Sequence, residues 1–167
     1  AKIFMFKTIL VGDKKVGKTS IVKRATENSF SSEYFPTTIC DFVVKQLEAG
    51  KNKVRLHLWD IGGAASFEQI RNELYIDADL AILVFDLTSP ESFKNLEKWR
   101  REICNSFSNL KSIILVGNKS DLERKISAEE CLKYAQEINA VYFETSAKLN
   151  KNIEEVFKAA VELLIEE

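Results

Sequence analysis

The feature that most constrains this chain is the loop Gly12-Asp13-Lys14-Lys15-Val16-Gly17-Lys18-Thr19, which follows an apolar run, IFMFKTILV, and opens a helix-length stretch. It satisfies GxxxxGK[ST] in the strand-to-helix setting that gives the pattern meaning. A polyphosphate needs converging backbone N–H donors, a helix N-terminus and a fixed cation. Gly12 and Gly17 let the backbone approach the phosphates, Lys18 is placed to reach the β and γ phosphates, and the Thr19 hydroxyl suits Mg2+. By itself the loop also fits a glycine turn with solvated lysines, so the rest of the chain has to decide.

With 167 residues, 46% hydrophobic and 29% charged, and only 6 Gly and 2 Pro, the composition excludes disorder and predicts one domain over 1–167. Lys plus Arg number 24 and Asp plus Glu 25, so there is no global attraction to nucleic acid, and no nucleic-acid partner is expected. Cys40, Cys104 and Cys131 are odd in number and far apart, which suggests packing residues in a reducing, cytoplasmic setting rather than a disulfide framework. No apolar run approaches the roughly 18 residues of a membrane span. With the last cysteine at Cys131, membrane association is expected only through a C-terminal tail not present in this sequence.

Short apolar runs recur as IFMFKTILVG, LAILVFD, SIILVGN and VYFETS, separated by amphipathic stretches, and read as buried parallel strands. Between the first two, DFVVKQLE and KVRLHLWD alternate in character across a turn at AGKN and predict an antiparallel hairpin at the sheet edge. Ser89 with Pro90, Ser127 with Glu130 and Asn152 with Glu155 carry helix-start signals. The expectation is an α/β fold: a six-stranded, mostly parallel sheet with one antiparallel edge hairpin and about five helices. In such sheets ligands bind beyond the C-terminal strand ends.

Three further strand ends carry chemistry. Asp60, in Trp59-Asp60-Ile61-Gly62-Gly63, can hold Mg2+ through water, and Gly63 can offer its N–H to a γ-phosphate. The run SIILVG enters Asn118-Lys119-Ser120-Asp121, and VYFE enters Thr145-Ser146-Ala147-Lys148. Guanine presents N1–H beside an exocyclic amine, a pair of donors that the Asp121 carboxylate can accept and that adenine lacks. The Ala147 N–H suits the guanine O6, with Lys119 lying along the base.

The ordered set GDKKVGKT, WDIGG, NKSD and ETSAK resembles the Ras superfamily of small GTPases across nearly the whole chain. TTICDF, VRLHLWD and LVFDLTSPESFKNLEKW are similar to the Rab pattern, while the doubled glycine of WDIGG is more like Arf, and Cys40 stands where Rab sequences carry glycine. The resemblance implies a P-loop NTPase (small G protein) fold, bound GTP or GDP with Mg2+, and GTP hydrolysis. It implies nucleotide contacts along Asp13, Lys14, Lys15, Val16, Gly17, Lys18, Thr19 and Ser20, at Asn118, Lys119, Asp121 and Leu122, and at Ser146, Ala147 and Lys148. In ENSFSSEYFPT, similar to the first switch loop, Phe30 would stack on the guanine edge and Tyr34 would lie over the phosphates. Thr37, 18 residues after Thr19, would bind Mg2+ and the γ-phosphate. Thr19, Thr37 and Asp60 form the implied metal set, and Lys18, Thr37 and Gly63 the implied catalytic set. Effectors, exchange factors and GTPase-activating proteins would meet the switch loops and an apolar triad, Phe42, Trp59 and Leu74.

Two departures bear on function. Where most relatives carry the glutamine that orients the attacking water, this chain has Ala64, which predicts slow hydrolysis; the alternative is a GTP-loaded binding module with negligible turnover. Lys14 replaces a usual small residue and admits two readings, a solvated lysine or a cation over the transferred phosphoryl group. His57 is expected to face solvent or a partner, and Arg100 and Arg101 to form a solvated helix face.

Overall fold

In the computed structural model of this protein, residues 1–31, 40–62, 68–106 and 108–165 are described. The strands are β1 (Ile3–Val11), β2 (Cys40–Ala49), β3 (Asn52–Ile61), β4 (Leu80–Asp86), β5 (Ser112–Asn118) and β6 (Val141–Glu144). They form one sheet in the order β2-β3-β1-β4-β5-β6, with every pairing parallel except β2 with β3. That hairpin turns at Gly50 and Lys51, between the paired Ala49 and Asn52, and β2 is the sheet edge. Central β4 is buried at all its positions, which is why it reads as an unbroken apolar run; β3 buries alternate residues, Val54, Leu56 and Leu58, along most of its length and then both Asp60 and Ile61 at its end.

The helices are α1 (Lys18–Glu27), α2 (Glu68–Leu74), α3 (Pro90–Lys94), α4 (Leu96–Cys104), α5 (Ala128–Glu137) and α6 (Ile153–Ile165). Asn95 joins α3 to α4 with helical backbone, its N–H bonding Glu91 O and its carbonyl accepting from Trp99 N, so the six segments make five helical arms among the described residues. Helix α3 starts where the sequence predicts: Ser89 accepts from Ser92 N, with Pro90 in the first turn. Ser127 accepts from Glu130 N at the start of α5. Asn152 differs, adopting a left-handed backbone (φ 61°) and donating its amide to Glu144 O, which ties the start of α6 to β6.

Two cores fill the faces of the sheet. On one, Leu10, Val54, Leu56, Leu58 and Val84 pack with α1 and with the α6 stripe Ile153, Val156, Phe157, Ala160 and Leu164. On the other, Ile9, Ile61, Leu83 and Phe85 pack with Tyr75, Trp99, Ile103 and Cys131. Among the described residues no helix is long and apolar enough to cross a membrane.

Candidate nucleotide-binding site

The parallel register aligns the strand ends: Val11 pairs with Leu83, Asp86 with Asn118, and Gly117 with Glu144. The loops leaving β1, β4, β5 and β6 therefore share one rim of the sheet. Gly12 passes so close to β4 that a Cβ there would lie 2.2 Å from Val84 O. Gly17 has φ 101° and would carry its Cβ 2.2 Å from Asn118 Nδ2, so both positions exclude a side chain. Between them Lys15 holds a left-handed backbone (φ 66°), and Lys14 is exposed. Gly17 caps α1 with no side-chain bond, leaving the helix to present its first backbone N–H groups into the loop.

Lys18 is only 6% exposed, and its ammonium donates to Gly12 O at 3.0 Å and Asp13 O at 2.8 Å. Burial lowers its pKa to about 8, against smaller upward pulls from Asp60 and Asp13. The Thr19 hydroxyl donates to Asp60 Oδ2, and Asp60 is 2% exposed at the end of β3. A threonine oxygen and a carboxylate converging beside the phosphate loop are hard donors of the kind Mg2+ takes, so this pair fits the ion. Among the described residues no group of three His, Cys, Asp or Glu side chains forms a metal cluster of its own.

At the other end of the rim, Asn118 is the bridge. Its amide donates to Val16 O at 3.0 Å and its side-chain oxygen accepts from Thr145 Oγ1 at 2.9 Å, joining three loops. Ser146 Oγ donates to Asp121 Oδ1 at 2.7 Å, and Ser120 N bonds Thr145 O at 2.9 Å. Lys119, left-handed at φ 68°, donates to Lys15 O at 2.7 Å and pairs with Asp86 Oδ2 at 2.9 Å. Ala147 is buried, and Lys148 and Leu122 are exposed. Phe30 lies exposed beyond the C-terminus of α1, and Ser20 is half-buried within it. Tyr34, Thr37, Gly63 and Ala64 lie outside the described residues.

Several contributors escape the motif search. Arg24, near the end of α1, donates to Ala147 O at 2.8 Å and Lys148 O at 2.9 Å and so fixes the last loop. Asp86 at the end of β4 accepts from Thr88 N and Oγ1 as well as from Lys119; as a strand-end acid it carries the same signal that marked Asp60. The Asp13 carboxylate is held by Asn95 and Trp99, an arrangement with no local sequence signal.

On the hairpin face outside the rim, Phe42 is 50% exposed and packs tilted against Trp59 with ring centroids 4.8 Å apart, and Trp59 also carries the Lys7 ammonium at 4.9 Å. Leu74 is partly buried against the same cluster as Trp59. His57 meets the Phe42 ring edge to face at 5.5 Å. The expectation of a solvated Arg100 needs correction: half-buried, it pairs with Glu97 at 2.7 Å, while Arg101 stays exposed. Of the cysteines, Cys131 is buried, Cys40 half-buried and Cys104 exposed, so packing does not account for all three.

A phosphate loop, a strand-end acid beside its threonine, and two bridged loops on one rim of a six-stranded sheet define a P-loop small GTPase. The Ras family sequence model matches residues 7–166, and the chain belongs to the Ras family. Within it the chain is Rab-like. It is 38% identical to the human Ras-related protein Rab-21 over 167 residues, covering 99% of this chain and 74% of that one. The dog Ras-related protein Rab-13 is 37% identical over 157 residues, 93% of this chain and 77% of its own. The human Ras-related protein Rab-30 is 38% identical over 156 residues, 92% and 77% respectively.

Proposed function

We propose that residues 1–167 form one guanine-nucleotide-binding domain that cycles between GTP and GDP with Mg2+, hydrolyses GTP slowly, and regulates Rab-like membrane traffic or signalling. The observation that carries this reading is the Asn118 bridge, because it ties the NKSD and ETSAK loops to the phosphate loop and gives base and phosphates one continuous seat. Asp121, oriented by Ser146, accepts the paired guanine donors, and Lys119 lies along the base with Phe30 at its edge.

At the phosphate end, Lys18 neutralises charge while the N–H groups of the loop and of α1 cradle the oxygens. Thr19 and Thr37 would hold the metal, with Asp60 acting through a water. Bound Mg2+ would neutralise charge building on the β and γ oxygens. Gly63 meets the γ-phosphate through its N–H, and loss of that phosphate releases Thr37 and Gly63, so that the two switch loops change their partners. Effectors, exchange factors and activating proteins would read that change through the switch loops, Phe42, Trp59 and Leu74.

Ala64 favours a second reading, a module that stays GTP-loaded because nothing orients the attacking water. Nucleotide released from the purified protein by denaturation and separated by chromatography tells the two apart: GDP supports the cycling enzyme, GTP the stalled module. The base assignment has its own test in Asp121→Asn, which swaps an acceptor oxygen for an amine. Competition binding should then show GTP weakened and XTP strengthened; unmodified protein that binds ATP as well as GTP would overturn it.

A further inference from the structure

Helix α4 and its cap Asn95 carry two sets of part-buried polar contacts, one to the phosphate loop and one to α2. Trp99 donates its indole N–H to Asp13 Oδ1 at 2.7 Å, and Asn95, at the junction with α3, donates to Asp13 Oδ2 at 2.7 Å. The Asp13 main chain meanwhile accepts the Lys18 ammonium. Three residues along α4, Glu102 grips Arg71 of α2 with both oxygens, Nε to Oε1 at 2.7 Å and Nη2 to Oε2 at 3.0 Å, and accepts the Tyr75 hydroxyl at 2.7 Å. The Arg71 guanidinium lies 4.9 Å over the Trp99 ring, which closes a continuous path from the phosphate loop to α2.

Arg71, Tyr75 and Trp99 are almost completely buried. A buried ion pair is weak evidence for stability, since apolar groups of similar size stabilise as well; what the fork adds is a defined geometry. Helix α2 begins five residues after Gly63, so its placement sets where the second switch loop must end. Asp13 in turn governs the carbonyl that receives Lys18. A helix with one partner at each end would need only packing, whereas this one specifies both by hydrogen bonds.

We infer that Trp99 and Glu102 are positioning residues for the nucleotide site, holding the phosphate loop at Asp13 and helix α2 at Arg71 and Tyr75 in one fixed relation through α4. The inference rests on the guanine-nucleotide reading given above.

The test is the rate at which the full chain releases fluorescent methylanthraniloyl-GDP. Trp99→Phe keeps a buried ring and removes only the N–H donor. The combination Arg71→Met, Tyr75→Phe, Glu102→Leu replaces the fork by apolar groups of similar size, a kind of change that is often neutral or stabilising. Each variant should release the nucleotide about tenfold faster than the unmodified protein while keeping its circular dichroism, and the two together should be little faster than either alone, because both break one chain of contacts. If Trp99→Phe does not fold, Asn95→Ala removes the other bond to Asp13 and carries the same expectation. Folded variants with unchanged release, or combined effects that multiply to about a hundredfold, would overturn the inference. Failure of the unmodified protein to bind methylanthraniloyl-GDP at all would instead sink the nucleotide reading and this inference with it.

Discussion

Gly17 and Asn118 meet where a glycine proton faces an amide, 102 residues apart from Val16 to Asn118 in the bond that Gly17 permits. A methyl group there would displace Asn118 and force a left-handed backbone on alanine, a strain of about 1 to 3 kcal/mol. Gly17→Ala should therefore lower the melting temperature and empty the site of nucleotide, measured by thermal unfolding and by nucleotide content after purification. Lys18 gives a second prediction, with its sign fixed by burial. In the nucleotide-free protein its pKa is about 8, and phosphate charge beside the ammonium would raise it. Protonation then favours binding: affinity holds below about pH 8 and falls as pH rises above it, where binding takes up a proton. Calorimetry in buffers of different ionisation enthalpy reads that uptake directly; binding without it would mean the ammonium is charged before the phosphates arrive.

At the scale of elements, the β2–β3 hairpin has two unlike faces. Val43 and Leu47 pack toward the core that contains α1 and α6, while Phe42, Val44, His57 and Trp59 lie on the other side, where Phe42 and Val44 are exposed. Exposed apolar surface of this kind marks a partner site more often than it marks spare packing. Alanine at Phe42, half-exposed, should cost well under the roughly 3 to 5 kcal/mol of a buried aromatic truncation. Capture of effector partners by GTP-loaded protein should be lost in Phe42→Ala and Trp59→Ala while GDP affinity stays the same. Unfolding of Phe42→Ala would show instead that the ring is part of the core.

For the whole molecule, the quantity of interest is the rate of the cycle. A water-orienting or proton-transferring group contributes on the order of 10² to 10⁴ in rate, so a chain with alanine at position 64 should bind tightly and turn over slowly. Ala64→Gln should accelerate single-turnover GTP hydrolysis at least about tenfold, with nucleotide affinity unchanged. Brisk hydrolysis by the unmodified protein, with nothing gained from the glutamine, would mean that another group orients the water.

The sequence by itself determined the sheet, its edge hairpin and the rim loops, because each rests on local physics: apolar runs of strand length, alternation of period two, and glycines where backbone must approach backbone. Asp60 and Asn118 were legible for the same reason, sitting at strand ends in the right order after GDKKVGKT. What only the tertiary structure decided are the bonds between residues far apart in the chain. Arg100 looked solvated until Glu97, one helical turn before it, and Tyr134, across on α5, enclosed the pair. The Arg24 bonds to Ala147 and Lys148 and the Trp99 bond to Asp13 join residues 86 to 124 positions apart, and no period or motif marks them. A side chain's hydrogen-bond partner is set by which helix faces are pressed together when the two cores close, and that is a property of the packed molecule rather than of any stretch of its sequence.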